Sequence, residues 1–262
     1  MQRSEREKIR KRNCKGETIY RGADDVFYPI ANPQLTIKTP YPWESDSNLP
    51  RITKEFFRCK GNSQNPPIFD VGDGNQATVF SDCDGGCRHG LPIFQGKEGV
   101  FPILIDLINY IQKKTGKRVI ITSGHRCPVH NTYVDPSKEN RISKHQIGAE
   151  VDFYVQGMEE RPLEIVGLMM QYYQEMPAYQ NQRDFQSFVR YDKPDVNTAI
   201  QPWMNKEIYI KLLQKDEGRN FDNRHPHAYI AVQVRFDREK GTRVIYDWQK
   251  ANQGYSQNTS KF

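Results

Sequence analysis

The stretch from residue 143 to residue 155 constrains the fold most, because it turns a polar loop into an alternating strand. Within it, His145 stands seven residues before Asp152. Because strand side chains alternate, Glu150, Asp152 and Tyr154 are predicted to share one face, opposite the apolar residues between them. An acid beside a histidine is costly to bury unless a metal ion or a proton-transfer role offsets the cost. Imidazole and carboxylate are ordinary zinc ligands, and a catalytic zinc site needs only three protein ligands.

The same stretch resembles the S-x-H-x-x-G-x-A-x-D signature of peptidase family M15, the zinc D-Ala-D-Ala carboxypeptidase group, which includes dipeptidases and phage endolysins. The matching residues are Ser143, His145, Gly148 and Asp152. The alanine position holds Glu150 instead, which puts a second acid on the strand face of Asp152. The resemblance spans about residues 97–248. It implies an α+β fold of the M15 or hedgehog-like type, with helices packed on a small antiparallel sheet.

A second loop, beginning at Ser123, resembles the family's S-G-x-R turn and supplies the matching Arg126. The resemblance implies that this arginine holds a substrate carboxylate or the developing oxyanion. The physical chemistry agrees, because a guanidinium is always charged and presents a fixed fork of donors. His125 and His130 lie in the same loop and are interpreted as loop histidines rather than ligands.

The family takes its third zinc ligand from a histidine before a late strand, and two overlapping patterns offer one here. In the first, Asp222-x-x-His225, His225 binds the metal and Asp222 is the base. In the second, His225-x-His227, His227 binds the metal and His225 carries the proton. We favour the first, because a carboxylate base suits a water that zinc has already acidified.

The resemblance therefore implies a zinc-dependent peptidase that acts on short cell-wall-type peptides, as a D-Ala-D-Ala carboxypeptidase or a peptidoglycan endopeptidase. Zn²⁺ would be held by His145, Asp152 and His225, with Asp222, Arg126 and His227 in catalytic roles. The alternative is a non-enzymatic binding or assembly protein on the same scaffold, in which a metal persists as a structural element. Glu150 and the long aromatic N-terminal part motivate that alternative.

Hydrophobic periodicity predicts the elements around these motifs. A helix is expected over residues 100–115, with Pro102 in its first turn and Gly116 at its end. The other expected elements are a strand at 118–123, helices at 161–175 and 205–214, and strands at 187–191, 229–236 and 242–248, the last two forming a hairpin. Three regions are predicted: an irregular N-terminal extension, a zinc peptidase-like domain and a polar tail, at 1–95, 96–250 and 251–262.

The composition limits partners and compartment. The net charge of +6 is concentrated in the first 15 residues, which form either a solvated tail or a contact to an anionic surface. Neither a nucleic-acid motif nor an apolar run long enough to span a membrane is visible. The resemblance implies a peptidoglycan-type peptide as the partner. The expected substrate favours a periplasmic or extracellular location, although no signal peptide is visible.

Five cysteines give an odd count, so at least one stays unpaired. The pair Cys83 and Cys87, with Cys59 before it and Cys127 after it, could form two disulfides and indicate an oxidising compartment. A structural metal on Cys83, Cys87 and His89 is the other interpretation. We favour disulfides or free thiols, because the spacing is looser than in common zinc modules.

Overall fold

A computed structural model describes residues 49–71, 77–85, 90–94, 97–135, 142–193, 198–218 and 221–252. The chain divides into two compact units, Met1–Pro50 and Arg51–Phe262. The basic N-terminal run and Cys14 lie outside the described residues, as do Cys87 and His89. None of the helices in the described ranges combines the length and apolar character needed to cross a bilayer.

The described residues form twelve strands and four α-helices. The strands are β1 Ile68–Val71, β2 Ala77–Phe80, β3 Ile93–Phe94, β4 Lys97–Glu98, β5 Val119–Ser123, β6 Glu150–Val155, β7 Val189–Arg190, β8 Trp203–Met204, β9 Ile208–Leu213, β10 Tyr229–Val234, β11 Phe236–Asp237 and β12 Thr242–Arg243. The α-helices are α1 Pro102–Thr115, α2 Pro128–Val134, α3 Pro162–Glu175 and α4 Arg183–Gln186. Short 3₁₀ turns occupy Lys54–Phe57, Lys144–Ile147, Pro177–Tyr179 and Phe221–Asn223.

The largest sheet of the described chain has six strands in the order β5-β6-β10-β9-β8-β7, and every neighbouring pair is antiparallel. Helices α1 and α3 pack on each other and contribute apolar side chains to the core that the sheet also lines. This mixture of helices and antiparallel strands confirms the predicted α+β fold. Strand β6, which carries the central motif, is therefore held between β5 and β10.

Helix α1 forms where its pattern predicts. Pro102 stands in the first turn, and Gly116 closes the helix in a left-handed conformation with φ of 62°. The helix has one apolar stripe, and all of its members are buried: Ile103, Leu104, Leu107, Ile108 and Ile111. Helix α3 also forms as predicted, although the side chain of Leu163 in its first turn is exposed rather than buried.

The predicted helix over 205–214 is wrong, because strand β9 occupies Ile208–Leu213. Its burial alternates along the first half of the strand, and it pairs along its length with β10. The segment before residue 95 also contains more regular structure than predicted, since β1 and β2 pair as one hairpin and β3 pairs with β4. Three side chains from this segment, Ile52, Phe57 and Leu91, are almost fully buried in the main core.

Candidate metal centre

The turn Lys144–Ile147 presents His145 to the start of strand β6. Ser143 and Gln146 form a capping box, in which the Ser143 hydroxyl accepts from the turn and the Gln146 side chain accepts from the Ser143 backbone N–H. Gly148 then adopts a left-handed conformation with φ of 66°, which a residue with a side chain rarely takes. These local preferences fix the reversal that brings His145 back against the strand it precedes.

His145, Glu150 and Asp152 come together, and the ligand atoms that they offer all lie within 4.8 Å of one another. The Nε2 atom of His145 is 3.5 Å from Asp152 Oδ2 and 3.7 Å from Glu150 Oε2. Glu150 and Asp152 share one face of β6, as the alternation predicts, while Val151 and Phe153 are buried in the core behind them. The departure from the family signature at position 150 thus places a third potential ligand beside the other two.

The chemistry of this group fits a divalent cation. His145 Nδ1 lies 2.6 Å from the carbonyl oxygen of Gly124, which only accepts, so Nδ1 carries the proton and Nε2 turns a lone pair towards two carboxylates. Asp152 Oδ1 is buried and has no hydrogen-bond partner among the described residues. A lone pair, two acids and a buried carboxylate oxygen form an unfavourable arrangement by themselves, and a cation would satisfy all of them.

Arg126 lies beside this group and connects it to the late loop. Its Nε donates to Ser123 Oγ at 2.7 Å and to Asp222 Oδ2 at 3.1 Å, and its Nη2 is 3.5 Å from Asp152 Oδ2. Asn223 donates to the same Asp152 oxygen at 2.8 Å. Although burial opposes ionisation, the contact with His145, the charge of Arg126 and the hydrogen bond from Asn223 lower the pKa of Asp152. The carboxylate is thus held ionised, as a metal ligand must be.

Asp222 is already engaged by two cations. His130 Nε2 lies 3.1 Å from Asp222 Oδ1, whereas Arg126 contacts the other oxygen, and His130 Nδ1 lies 2.7 Å from Asp82 Oδ1. Burial disfavours the charged imidazole, but the two carboxylates outweigh it and raise the pKa of His130 to about 10. Burial likewise opposes ionisation of Asp222, while His130 and Arg126 lower its pKa to about 2. Asp222 is therefore a weak base in this geometry, and its two oxygens contact His130 and Arg126.

The structure does not bring the late histidines, His225 and His227, into the group of His145, Glu150 and Asp152, which is called the metal group below. Among the described residues, neither His225 nor His227 belongs to a set of three potential ligands within 4.8 Å. Their rings stack on each other, with centroids 4.1 Å apart, and both contact the ring of Tyr154. On β10 the residue paired with Asp152 is Ala231, whose side chain carries no ligand atom.

No sequence pattern connects Asp82 or His130 with the site. Both are buried, and they form a continuous hydrogen-bonded path from the segment after β2 to Asp222. His130 is 48 positions from Asp82 and 92 positions from Asp222 in the chain, so no local spacing predicts these contacts. His125 is also buried, and burial lowers its pKa to about 4, so it is a neutral residue that packs under the loop.

A polar cavity of about 230 Å³ opens next to the metal group. Arg126, His145, Glu150 and Asp152 line it, and Lys144 and Lys211 add two further positive groups. Lys144 Nζ donates to Gln233 Oε1 at 3.0 Å, and Gln233 in turn donates to Glu150 at 2.7 Å. The cavity therefore offers cationic side chains and a cluster of acids to one ligand.

Comparison with protein families matches residues 83–183 to the model described as Peptidase M15. The match covers less than half of the chain and ends before strand β7 and the late histidine loop. Comparisons with curated proteins and with solved structures give no match. The matched range contains the Arg126 loop and the His145–Asp152 motif. This match supports a peptidase M15 assignment for residues 83–183, and members of that family are metallopeptidases.

Proposed function

We propose that the chain is a zinc metallopeptidase whose ion is held by His145, Asp152 and Glu150. The observation that carries the proposal is the convergence of these three side chains, two of them beside a buried imidazole lone pair. In this proposal Glu150 is the third ligand, in place of His225, which the sequence pattern favoured. A bound zinc ion would supply an acidified water molecule and polarise the carbonyl of the scissile bond.

The residues of the chain then have distinct tasks. The Gly124 carbonyl orients the His145 ring by accepting from Nδ1. Arg126, fixed by Ser123 and Asp222, presents its guanidinium to the cavity, where it would bind a substrate carboxylate or the oxyanion that develops during hydrolysis. Asp222 keeps that guanidinium in place. It is a positioning residue rather than the general base expected from the sequence.

We infer that the substrate is a short peptide with a free carboxylate, as at the D-Ala-D-Ala end of cell-wall peptides. Three cationic side chains, Arg126, Lys144 and Lys211, line the same small cavity as the acids. A carboxylate-terminated peptide would satisfy these cations while its last peptide bond reaches the metal group. The resemblance to carboxypeptidases agrees with this choice, and a longer cell-wall peptide cut internally is the competing substrate.

The test measures metal and hydrolysis together. The wild-type protein is expected to release D-Ala from a peptide ending in D-Ala-D-Ala and to lose this activity with a chelator. His145→Ala and Glu150→Gln are expected to lose activity together with the zinc of this site, whereas Glu164→Gln, at an exposed carboxylate on α3, should retain both. Hydrolysis that persists in His145→Ala would refute the assignment. A Glu150→Gln variant that keeps its zinc but loses activity would make Glu150 a base and not a ligand.

One observation favours the non-enzymatic alternative. Neither late histidine joins the metal group, and Ala231 occupies the strand position opposite Asp152. A protein that binds zinc through His145 and Asp152, binds the peptide, and leaves it uncut over a long incubation would be a binding protein on a peptidase scaffold. Peptide affinity measured by calorimetry beside the hydrolysis assay separates the two functions.

A further inference from the structure

Three buried cysteines meet at a second place in the structure. Cys59 follows the first 3₁₀ turn, Cys83 follows β2, and Cys127 stands between Arg126 and helix α2. Their sulfur atoms all lie within 4.8 Å of one another, with Cys59 Sγ 3.7 Å from Cys83 Sγ. All three are free thiols, and they form a cluster of their own outside the main apolar core.

Backbone N–H groups are directed at two of these three sulfurs. The backbone N–H of Gly85 donates to Cys83 Sγ at 3.4 Å, and the backbone N–H of His130 donates to Cys127 Sγ at 3.3 Å. N–H donors directed at sulfur stabilise the charged form, which is the form that binds metal. Gly61 closes one side so tightly that an added Cβ would overlap Cys83 Sγ.

The number of sulfurs argues against disulfides as the purpose of the cluster. A disulfide joins two cysteines and would leave the third buried beside it, whereas one ion engages all three. Soft thiolate ligands select zinc or similar ions, and structural zinc sites are built from three or four cysteines. His130 is not the remaining ligand, because both its ring nitrogens contact carboxylates of Asp82 and Asp222.

We propose that Cys59, Cys83 and Cys127 hold a structural zinc ion, separate from the group at His145. The described contacts supply three ligands for this ion. This reverses the preference for disulfides or free thiols drawn from sequence spacing. The proposal does not depend on the proposed peptidase function, because it uses none of the same ligands.

The position of the cluster gives the ion a definite task. It would join the segment after Phe57, the loop after β2 and the loop that carries Arg126. The first and third already touch: the His125 backbone N–H donates to the Phe57 carbonyl at 2.6 Å, and Lys60 donates to the Ile121 carbonyl. Because Cys127 follows Arg126 directly, an ion on Cys127 would fix the arginine from its other side. The cluster therefore acts as a support for the Arg126 loop.

The experiment uses the full chain with His145→Ala, so that the remaining zinc reports only the cysteine site. Purified under reducing conditions, this protein is expected to contain about one zinc ion per chain by elemental analysis. Adding Cys83→Ser or Cys127→Ser should remove it, while adding Ser81→Ala, at an exposed side chain in the same loop, should leave it. Replacement by Co²⁺ should give a thiolate-to-metal charge-transfer absorption that disappears with either cysteine change.

A second measurement covers variants that fail to fold. A mercurial thiol reagent added to the folded His145→Ala protein should release its zinc into a metal-binding dye as the thiols react. The proposal is overturned if the reduced protein holds no zinc, if the zinc survives both cysteine substitutions, or if blocking the thiols releases none. An intact mass that shows a disulfide within the cluster under the same reducing conditions would overturn it as well.

Discussion

Replacing Asp222 with Asn tests how the Arg126 loop is held. The carboxylate lies 3.1 Å from both His130 Nε2 and Arg126 Nε, and its side chain is only 9% exposed. Burial alone would raise its pKa, but the hydrogen bond from His130 and the charge of Arg126 outweigh burial and lower it to about 2. Asn keeps the shape of Asp and removes the charge, so the variant isolates the electrostatic contribution.

The expected loss of stability follows from the linkage between proton binding and folding. An unfolded aspartate titrates near ~3.9, so a folded pKa of about 2 corresponds to roughly 2–3 kcal/mol of stability. Because the folded pKa is lowered, this contribution is fully present above the unfolded pKa. It is lost as the pH falls through the folded value. Asp222→Asn should therefore be less stable by about 2–3 kcal/mol at pH about 7, and the difference should shrink between about pH 4 and about pH 2.

Urea unfolding followed by circular dichroism at a series of pH values measures this difference. Asp184→Asn is the matched control, since Asp184 is 77% exposed and its ion pair with Lys206 spans 3.7 Å. An exposed pair of this kind is expected to change stability by less than about 1 kcal/mol. The reasoning is refuted if Asp222→Asn unfolds with the wild type at neutral pH, or if the gap between them stays constant on acidification.

Two further predictions concern the core. Burial raises the pKa of Glu207, against the hydrogen bonds that Tyr179 and Tyr173 donate at 2.6 and 3.0 Å. A raised pKa gives stability that is present below the unfolded value and lost as the pH rises through the folded one, so Glu207→Gln should be at least as stable as the wild type at neutral pH. Thermal unfolding at pH about 7 and about 4 checks that the advantage disappears in acid. Phe57→Ala should cost about 3–5 kcal/mol in urea unfolding, because Phe57 is fully buried, whereas Phe56→Ala, 44% exposed, should cost far less.

Local patterns in the sequence were sufficient to predict an element where its own residues mainly stabilise it. Helix α1 has its proline, its left-handed glycine and its apolar stripe within sixteen positions, and the structure reproduces all three. The turn before β6 is equally local, since Ser143, Gln146 and Gly148 determine it among themselves. Strand β6 then follows from simple alternation, which is why Glu150 and Asp152 were predicted on one face.

The same reasoning failed for β9, where the pattern is ambiguous. The sequence Ile208-Tyr-Ile-Lys-Leu-Leu213 satisfies a short helical stripe as well as an alternating strand. Its pairing with β8 and β10 decides between them, because those partners satisfy the backbone of an extended segment. Strand β8 has only two residues, and β10 lies beyond the turn at Phe221–Asn223. A short stretch of sequence around β9 therefore does not contain the information that decides between helix and strand.

Local sequence patterns likewise predicted one part of the candidate site and missed another. His145, Glu150 and Asp152 lie within eight positions, so the sequence could single them out, although it could not say that Glu150, rather than His225 or His227, joins the other two in a group of three potential ligands. The contacts of Asp222 with His130, and of Cys59 with Cys83 and Cys127, join segments that only the fold brings together. Which residues meet across such long separations is thus decided by tertiary structure.

The two clusters meet at one loop, and this arrangement explains why the loop is so heavily buried. Arg126 is bonded to Asp222 and Asp152 on the metal side, and the next residue, Cys127, lies in the sulfur cluster. Asp82 and His130 complete the connection, since they bond to each other and His130 also contacts Asp222. A guanidinium that must meet a developing charge gains most when its position is fixed before the substrate arrives, because no reorganisation is then required. If the two proposed sites exist, the segment that carries Cys59 and Cys83 contributes to the geometry around Arg126 from outside the central sheet.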